Sequence, residues 1–275
     1  MINQKEINCR DCKYFDKENI KCRVEGGSPI RKCVVAINKE LAKEIKDMNK
    51  PVKILEVGCG SWSYIKDNIS GNVSWEGIDV VEEDRKGRQT IATKVGSVEN
   101  IPFADESFDI VLANQSMEHW YEYGVTFDRG LAEISRILKS EGKLILNIPI
   151  HLHGHRWFLK GEVEKIKNLF KGDYWNNMIF EKWRFDPVPL EKYFGWRDNF
   201  FTSNYLGSNF KKNSYILNIQ VFKNKKILKG GLNDFKYRNY KALFIILSYF
   251  NQKIIVVLNL GLFFSFKIIR KKLFR

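Results

Sequence analysis

Two carboxylates and a pair of glycines stand where a nucleoside could be held. Glu56 closes the apolar run Lys53-Ile54-Leu55-Glu56-Val57 just before Gly58-Cys59-Gly60. Asp79 ends a second such run, Val73-Ser74-Trp75-Glu76-Gly77-Ile78-Asp79-Val80, roughly twenty residues farther on. Glycine at such a turn permits positive φ and close approach of a ligand to the backbone, and the amides that follow offer donors. A carboxylate at the position of Asp79 can accept both hydroxyls of a ribose. Cys59, between the glycines, reads as a small, partly buried and unreactive thiol. A third set of polar groups is Asn114-Gln115-Ser116-Met117-Glu118-His119. An imidazole titrates near neutrality, so His119 is a candidate general base or else a structural hydrogen-bonder. Glu118 reads as a helix-surface or supporting residue.

The other histidines, His151, His153 and His155, alternate with Leu152 and Gly154 and would share one face of an extended segment. They read as pocket groups or a base (His151 foremost), as a metal site, or as an ordinary loop, and no neighbouring carboxylate pattern favours metal. Four of the five cysteines lie at Cys9, Cys12, Cys22 and Cys33. In a reducing compartment a close pair followed by two more thiols suits a tetrathiolate site, zinc ahead of an iron–sulfur cluster, because a metal can organise a segment too short for its own core. The second pair is not close, and unligated reduced thiols are the alternative.

These groups need elements to hold them. The apolar runs ending at Val57 and Val80 read as buried parallel strands. Val34 to Asn49, with Ile37, Leu41, Ile45 and Met48 on one side, reads as an amphipathic helix, and Pro51 separates it from the first of these strands. Phe108 to Asn114 is a further strand whose carboxyl end delivers Asn114 to His119 to the edge that holds Gly58 and Asp79, where open α/β sheets bind ligands. Phe127, Leu131, Ile134 and Leu138 form the apolar face of the next helix, with Gly142 as its cap. Lys143 to Ile150 and Tyr215 to Phe222 read as later strands. The aromatic stretch from Arg156 to Asn199 reads as an acceptor-closing wall or as an insertion packing on itself.

The order Glu99-Asn100-Ile101-Pro102-Phe103, Ser107-Phe108-Asp109-Ile110-Val111-Leu112-Ala113-Asn114, Leu131-Ala132-Glu133-Ile134-Ser135-Arg136-Ile137-Leu138-Lys139 and Gly142-Lys143-Leu144-Ile145-Leu146 closely resembles the class I S-adenosylmethionine-dependent methyltransferases, in particular the small-molecule, methyltransferase-11-like branch. The resemblance covers roughly residues 50 to 150. It implies a Rossmann-like, seven-stranded α/β sheet with helices on both faces, ending in an antiparallel strand. It also implies a cofactor cleft formed by Glu56, Gly58, Gly60, Asp79, Val80, Ser97, Val98, Asn114 and Gln115. Glu56 would order the turn and the cofactor amine, Val98 would offer its amide to the adenine, and Asn114 and Gln115 would lie against the methionine half. His119 would lie near the transferred methyl. The chain departs from the family pattern at Trp62, where a third glycine is usual, and at Ser97, where an acid often accepts from the adenine amino group.

The domain limits expected are a Cys-rich segment at 1–36, a methyltransferase domain at 37–225 and a basic, apolar helical tail at 226–275. A chain of 275 residues can bury a full α/β core with appendages. The net charge of +14 is concentrated at one end: from Lys223 onward thirteen Lys and Arg face the single acid Asp234, an excess of +12. Apolar runs at 242–250 and 254–269 are interrupted by Asn251-Gln252-Lys253, so neither reaches the roughly 20 residues of a spanning helix. A peripheral anchor on anionic lipid is favoured over a span or a partner-binding helix. The polar start, Met1 to Asp11, carries no secretory signal pattern, which places the expected enzyme in the cytoplasm on the inner face of the membrane. The expected acceptor is a small molecule, a glycan or a lipid-linked compound. Nucleic acid is disfavoured, though an RNA methyltransferase with a zinc-binding N-terminal module remains the rival enzyme and a non-catalytic S-adenosylmethionine-binding protein the rival from another class.

Overall fold

A run of parallel strands sets the frame. In the computed structural model, residues 2–8, 12–16, 21–24, 29–84, 87–184 and 215–225 are described. Cys9, Pro187, Pro189 and the basic tail lie outside them. The strands are β1 (Ile2–Asn8), the short β2 (Phe15–Asp16) and β3 (Lys21–Cys22), β4 (Val52–Val57), β5 (Val73–Asp79), β6 (Lys94–Val95), β7 (Phe108–Asn114), β8 (Leu138–Ile150), β9 (Trp175–Arg184) and β10 (Tyr215–Lys223). The helices are α1 (Pro29–Asp47), α2 (Tyr64–Asn68), a 3-10 helix (Met117–Tyr123), α3 (Phe127–Ile137), α4 (Arg156–Leu159) and α5 (Val163–Asn168).

Eight strands form one mixed sheet in the order β1-β9-β10-β8-β7-β4-β5-β6, while β2 and β3 pair only with each other. β10 runs antiparallel to both β8 and β9, as expected of the last strand. The sheet has one strand more than the seven expected, because β1 adds to the free edge of β9 in parallel. Pairing covers an edge that would otherwise present open amides and carbonyls.

Alternation along the central strands explains the two covered faces. Leu55, Val111, Ala113, Leu144 and Leu146 join one apolar cluster with Phe127, Leu131 and Ile134 of α3, while Ile54, Ile110, Leu112 and Ile145 join another with Leu41, Ala42 and Ile45 of α1. Successive side chains of a strand point to opposite faces, so a wholly apolar strand demands a helical layer on each. α1 begins earlier than its apolar periodicity suggested, at Pro29, a residue suited to a first helical turn.

α3 ends sooner than expected. The Leu138 amide closes on Ile134 O, Leu138 turns extended and becomes the first residue of β8, opposite Phe108. Gly142 is therefore no helix cap but a strand residue. A Cβ there would come within 2.8 Å of Lys139 O and 3.2 Å of Asp109 O, so close backbone approach, not positive φ, calls for glycine. Of the aromatic stretch after β8, Phe158, Phe170, Trp175 and Phe180 are buried in the main cluster. These residues build core and no acceptor wall.

Candidate functional site

The parallel register sets Val57 opposite Ile78, so β4 and β5 end side by side at one edge of the sheet. The chain breaks there because Gly58 and Gly60 adopt φ of +67° and +58°, which a side chain tolerates poorly. A Cβ on Gly58 would also lie 2.8 Å from Ser116 Cβ, at the end of β7. The turn is held by Asp79, whose Oδ2 accepts from the Gly60 amide at 2.9 Å and whose Oδ1 accepts from Val81 at 3.3 Å.

Beneath the turn lies a buried polar knot. Glu56 accepts from Ser63 Oγ, from Trp75 Nε1 at 3.2 Å and from Asn114 Nδ2 at 2.9 Å, and Asn147 Nδ2 in turn donates to Asn114 Oδ1 at 2.6 Å. Burial pushes the Glu56 carboxyl up, against the three donors that hold it down. Ser63 also caps α2, accepting from the Lys66 amide, so the knot joins the turn to the helix that follows it. Burial, and then the charges of Glu56 and Asp79, push the Cys59 thiol up to about 12.

A cleft of about 430 Å³ opens above this edge, a size suited to a nucleoside-sized ligand. One side is Gly58, Asp79, Val80, Ser97 and Val98, and the other is Gln115, Ser116, His119, Trp120, Tyr123 and His153. The 3-10 helix supplies His119, Trp120 and Tyr123 and ends at Gly124, in the left-handed region. The indole of Trp120 donates to Ser116 Oγ at 3.1 Å and sits against Gly130 of α3. Behind Ser97 and Val98, Arg136 binds Glu133, Asp105 and the Ile101 and Phe103 carbonyls, fastening the loop 101–105 to α3. Those carboxylates, Glu133 first, hold its guanidinium firmly protonated.

Nine of the residues that the sequence singled out thus meet at the cleft: Gly58, Asp79, Val80, Ser97, Val98, Gln115, Ser116, His119 and His153. Glu56, Gly60 and Asn114 lie behind its wall and position it. His151 lies elsewhere: it has φ +61°, and its Nδ1 is 3.0 Å from Leu159 O. The three later histidines do not share a face, because the chain after Ile150 bends instead of staying extended. His153 stacks on His119, with ring centroids 5.1 Å apart, while His155 stacks on Tyr121 and accepts from Trp157 N to cap α4. Trp120 and Tyr123 went unremarked in the sequence; their place in the few residues directly after the polar set 114–119 was the available signal.

Glu118 departs furthest from expectation. It is fully buried, its backbone carbonyl accepts from His155 N at 2.9 Å, and Gly154 packs against its side chain. Burial pushes its carboxyl up to about 7, with His119 pulling the other way. Neither carboxylate oxygen is hydrogen-bonded to a described residue.

Of the cysteine set, Cys12 and Cys33 are partly buried and pack against the apolar cluster of Val34, Val35 and Trp183. Cys22 is described in its backbone alone, in β3 opposite Phe15. No helix among the described residues is long and apolar enough to cross a membrane.

A family model described as a methyltransferase domain matches residues 55–146. The uncharacterized protein YafE of Escherichia coli K12 is 32 % identical over 143 residues, which are 45 % of this chain and 67 % of that protein. The phthiotriol/phenolphthiotriol dimycocerosates methyltransferase of Mycobacterium tuberculosis is 34 % identical over 99 residues, 33 % of this chain and 35 % of that one. The chain therefore spans about two thirds of the first relative and about a third of the second. Among solved structures, YcgJ of Bacillus subtilis is 18 % identical with a TM-score of 0.44, covering 68 % of this chain and 99 % of its own.

Proposed function

The chain belongs to the class I S-adenosylmethionine-dependent methyltransferases, and from that premise we propose that it methylates a small-molecule, glycan or lipid-linked acceptor at a membrane surface. The observation that carries the reading is the two-sided cleft, with nucleoside-holding groups at Gly58 and Asp79 and an acceptor side at His119 and His153. The residues present fit the cofactor: Gly58, at positive φ and with no room for a Cβ beside Ser116, leaves its backbone bare at the cleft, and Asp79, tied to two backbone amides, keeps lone pairs for ribose hydroxyls. S-adenosylmethionine supplies an electrophilic methyl group, which leaves sulfur for the acceptor atom as the sulfur–carbon bond breaks.

The protein's share is placement and the handling of one proton. Val80, Ser97 and Val98 line the cleft where the adenine would lie, and the Ser97 hydroxyl would accept more weakly than an acid. Gln115, its amide tied to Asn147 O, and Ser116, tied to Trp120, would hold the methionine portion. His119, on the cleft wall beside Trp120 and Tyr123, would take the proton that a hydroxyl or ammonium acceptor sheds.

Two features support the lipid-surface part. The M. tuberculosis relative carries a lipid acceptor in its name, and the basic, apolar segment beyond residue 225 suits anionic lipid. The thiols Cys9, Cys12, Cys22 and Cys33 are proposed as a zinc site from their spacing. Metal content unchanged in Cys12→Ser would remove that proposal.

Calorimetry with S-adenosylmethionine and S-adenosylhomocysteine tests the enzyme reading, and absence of binding overturns it. The acceptor is sought by mass spectrometry of total and lipid extracts with and without the gene, as a compound heavier by one methylene.

A further inference from the structure

The geometry points to a divalent-cation site formed by Glu118, His119 and His153 at the acceptor end of the cleft. Their ligand atoms lie within 4.8 Å of one another. A cation about 2.1 Å from each donor needs them closer, to about 4.2 Å at most, so the His119 and His153 rings, stacked 15° from parallel, must rotate until a nitrogen of each faces the ion. Two imidazoles and one carboxylate suit a first-row divalent ion, and His119 and His153 line the cleft from which a further ligand would reach it.

Two independent observations support the assignment. Glu118 is a fully buried carboxylate with neither oxygen hydrogen-bonded to a described residue. Such a group is costly unless something positive meets it. Its neighbour is already arranged as a ligand: His119 Nδ1 lies 2.8 Å from Glu122 Oε1. A proton held on Nδ1 by that carboxylate leaves the Nε2 lone pair free, the usual support of a metal-bound histidine. Gly154, where a Cβ would fall 2.6 Å from Glu118 Cβ, lets the loop bearing His153 close over the carboxylate.

This inference deepens the methyl-transfer reading for its role but not for its existence. An ion here would hold an acceptor oxygen beside Gln115 and Ser116 and lower the pKa of its hydroxyl, the proton leaving through the open mouth of the cleft. His119 would then act as a ligand and no longer as a base.

Mn²⁺ is the probe, because thiolates at the N-terminal cysteines compete poorly for a hard ion. Full-length, chelator-treated protein is titrated with Mn²⁺ and the free ion followed by electron paramagnetic resonance. The expected result is one bound ion per chain, with imidazole nitrogen couplings in the pulsed spectrum. Affinity should fall at least tenfold in Glu118→Gln and in His153→Ala. The thermal unfolding midpoint of His153→Ala, read by circular dichroism, should match wild type and certifies the fold should the buried Glu118 variant misfold. The proposal is overturned by no Mn²⁺ binding up to 1 mM, by wild-type affinity in His153→Ala, or by binding lost in Cys12→Ser instead. Mn²⁺ bound without any S-adenosylhomocysteine affinity would sink the enzyme reading and keep the site.

Discussion

Asp79 does two jobs with one carboxylate. It terminates β5, accepts from the Gly60 and Val81 amides and presents its remaining lone pairs to the cleft. Asp79→Ala should weaken S-adenosylhomocysteine binding tenfold or more by calorimetry, since both the turn and the ribose lose their acceptor, worth about 1–3 kcal/mol. Cys59 gives a prediction of opposite kind. With its thiol pushed up to about 12 by burial and by Glu56 and Asp79, its thiolate is scarce at pH 8. Native-state alkylation followed by mass spectrometry should find Cys59 modified at least about a hundredfold more slowly than a free thiol, and labelling at the rate of a model peptide would contradict the environment described. Glu56→Ala would strand Trp75 Nε1 and Asn114 Nδ2 and should cost about 3 kcal/mol in urea unfolding, with Glu56→Gln milder. These residues were legible because strand, glycine turn and carboxylate are contiguous. Glu118 was not: its burial is imposed by Gly154 and His155, folded back from beyond β8, a contact that no local pattern announces.

At the scale of elements, the site is only as firm as α3 and the 3-10 helix that leans on it. A Cβ on Gly130 would fall 2.6 Å from Trp120 Cζ3, and Trp120 in turn braces Ser116 at the cleft. Gly130→Ala should therefore destabilise the fold by about 1–3 kcal/mol despite better helix propensity, and weaken nucleoside binding with it, as read by thermal unfolding and calorimetry. A gain in stability would show that the indole moves aside freely. The strands β4 and β7 were readable from apolar runs, since a strand covered on both faces has no polar alternative. The end of α3 was not, because Leu138 suits helix and strand equally. Its pairing with Phe108, far away in sequence, decides the matter. β1 was missed for a related reason. A polar edge strand shows little periodicity, and the amides and carbonyls of β9 select it.

For the whole molecule, the question is what the segment beyond the sheet contributes. The chain divides into one unit ending at Ile227 and a second from Leu228 to Arg275, and β10, the last strand among the described residues, ends at Lys223 inside the first. Lys223 is anchored there, its ammonium 2.7 Å from Leu138 O and 3.2 Å from Glu106 Oε1, so the sheet is closed before the basic stretch begins. Every residue placed at the cleft also belongs to the first unit. Removal of residues 228–275 should therefore leave S-adenosylhomocysteine affinity and the unfolding midpoint unchanged within error. The same truncation takes away most of the local positive charge and both long apolar runs, which together would hold the protein on anionic lipid. Sedimentation with vesicles of mixed neutral and anionic lipid should pellet the full chain, release part of it as salt rises, and leave the truncated chain in the supernatant. A full chain that stays in the supernatant at low salt would deny the tail this role, and a truncated chain that no longer binds nucleoside would make the tail part of the catalytic fold.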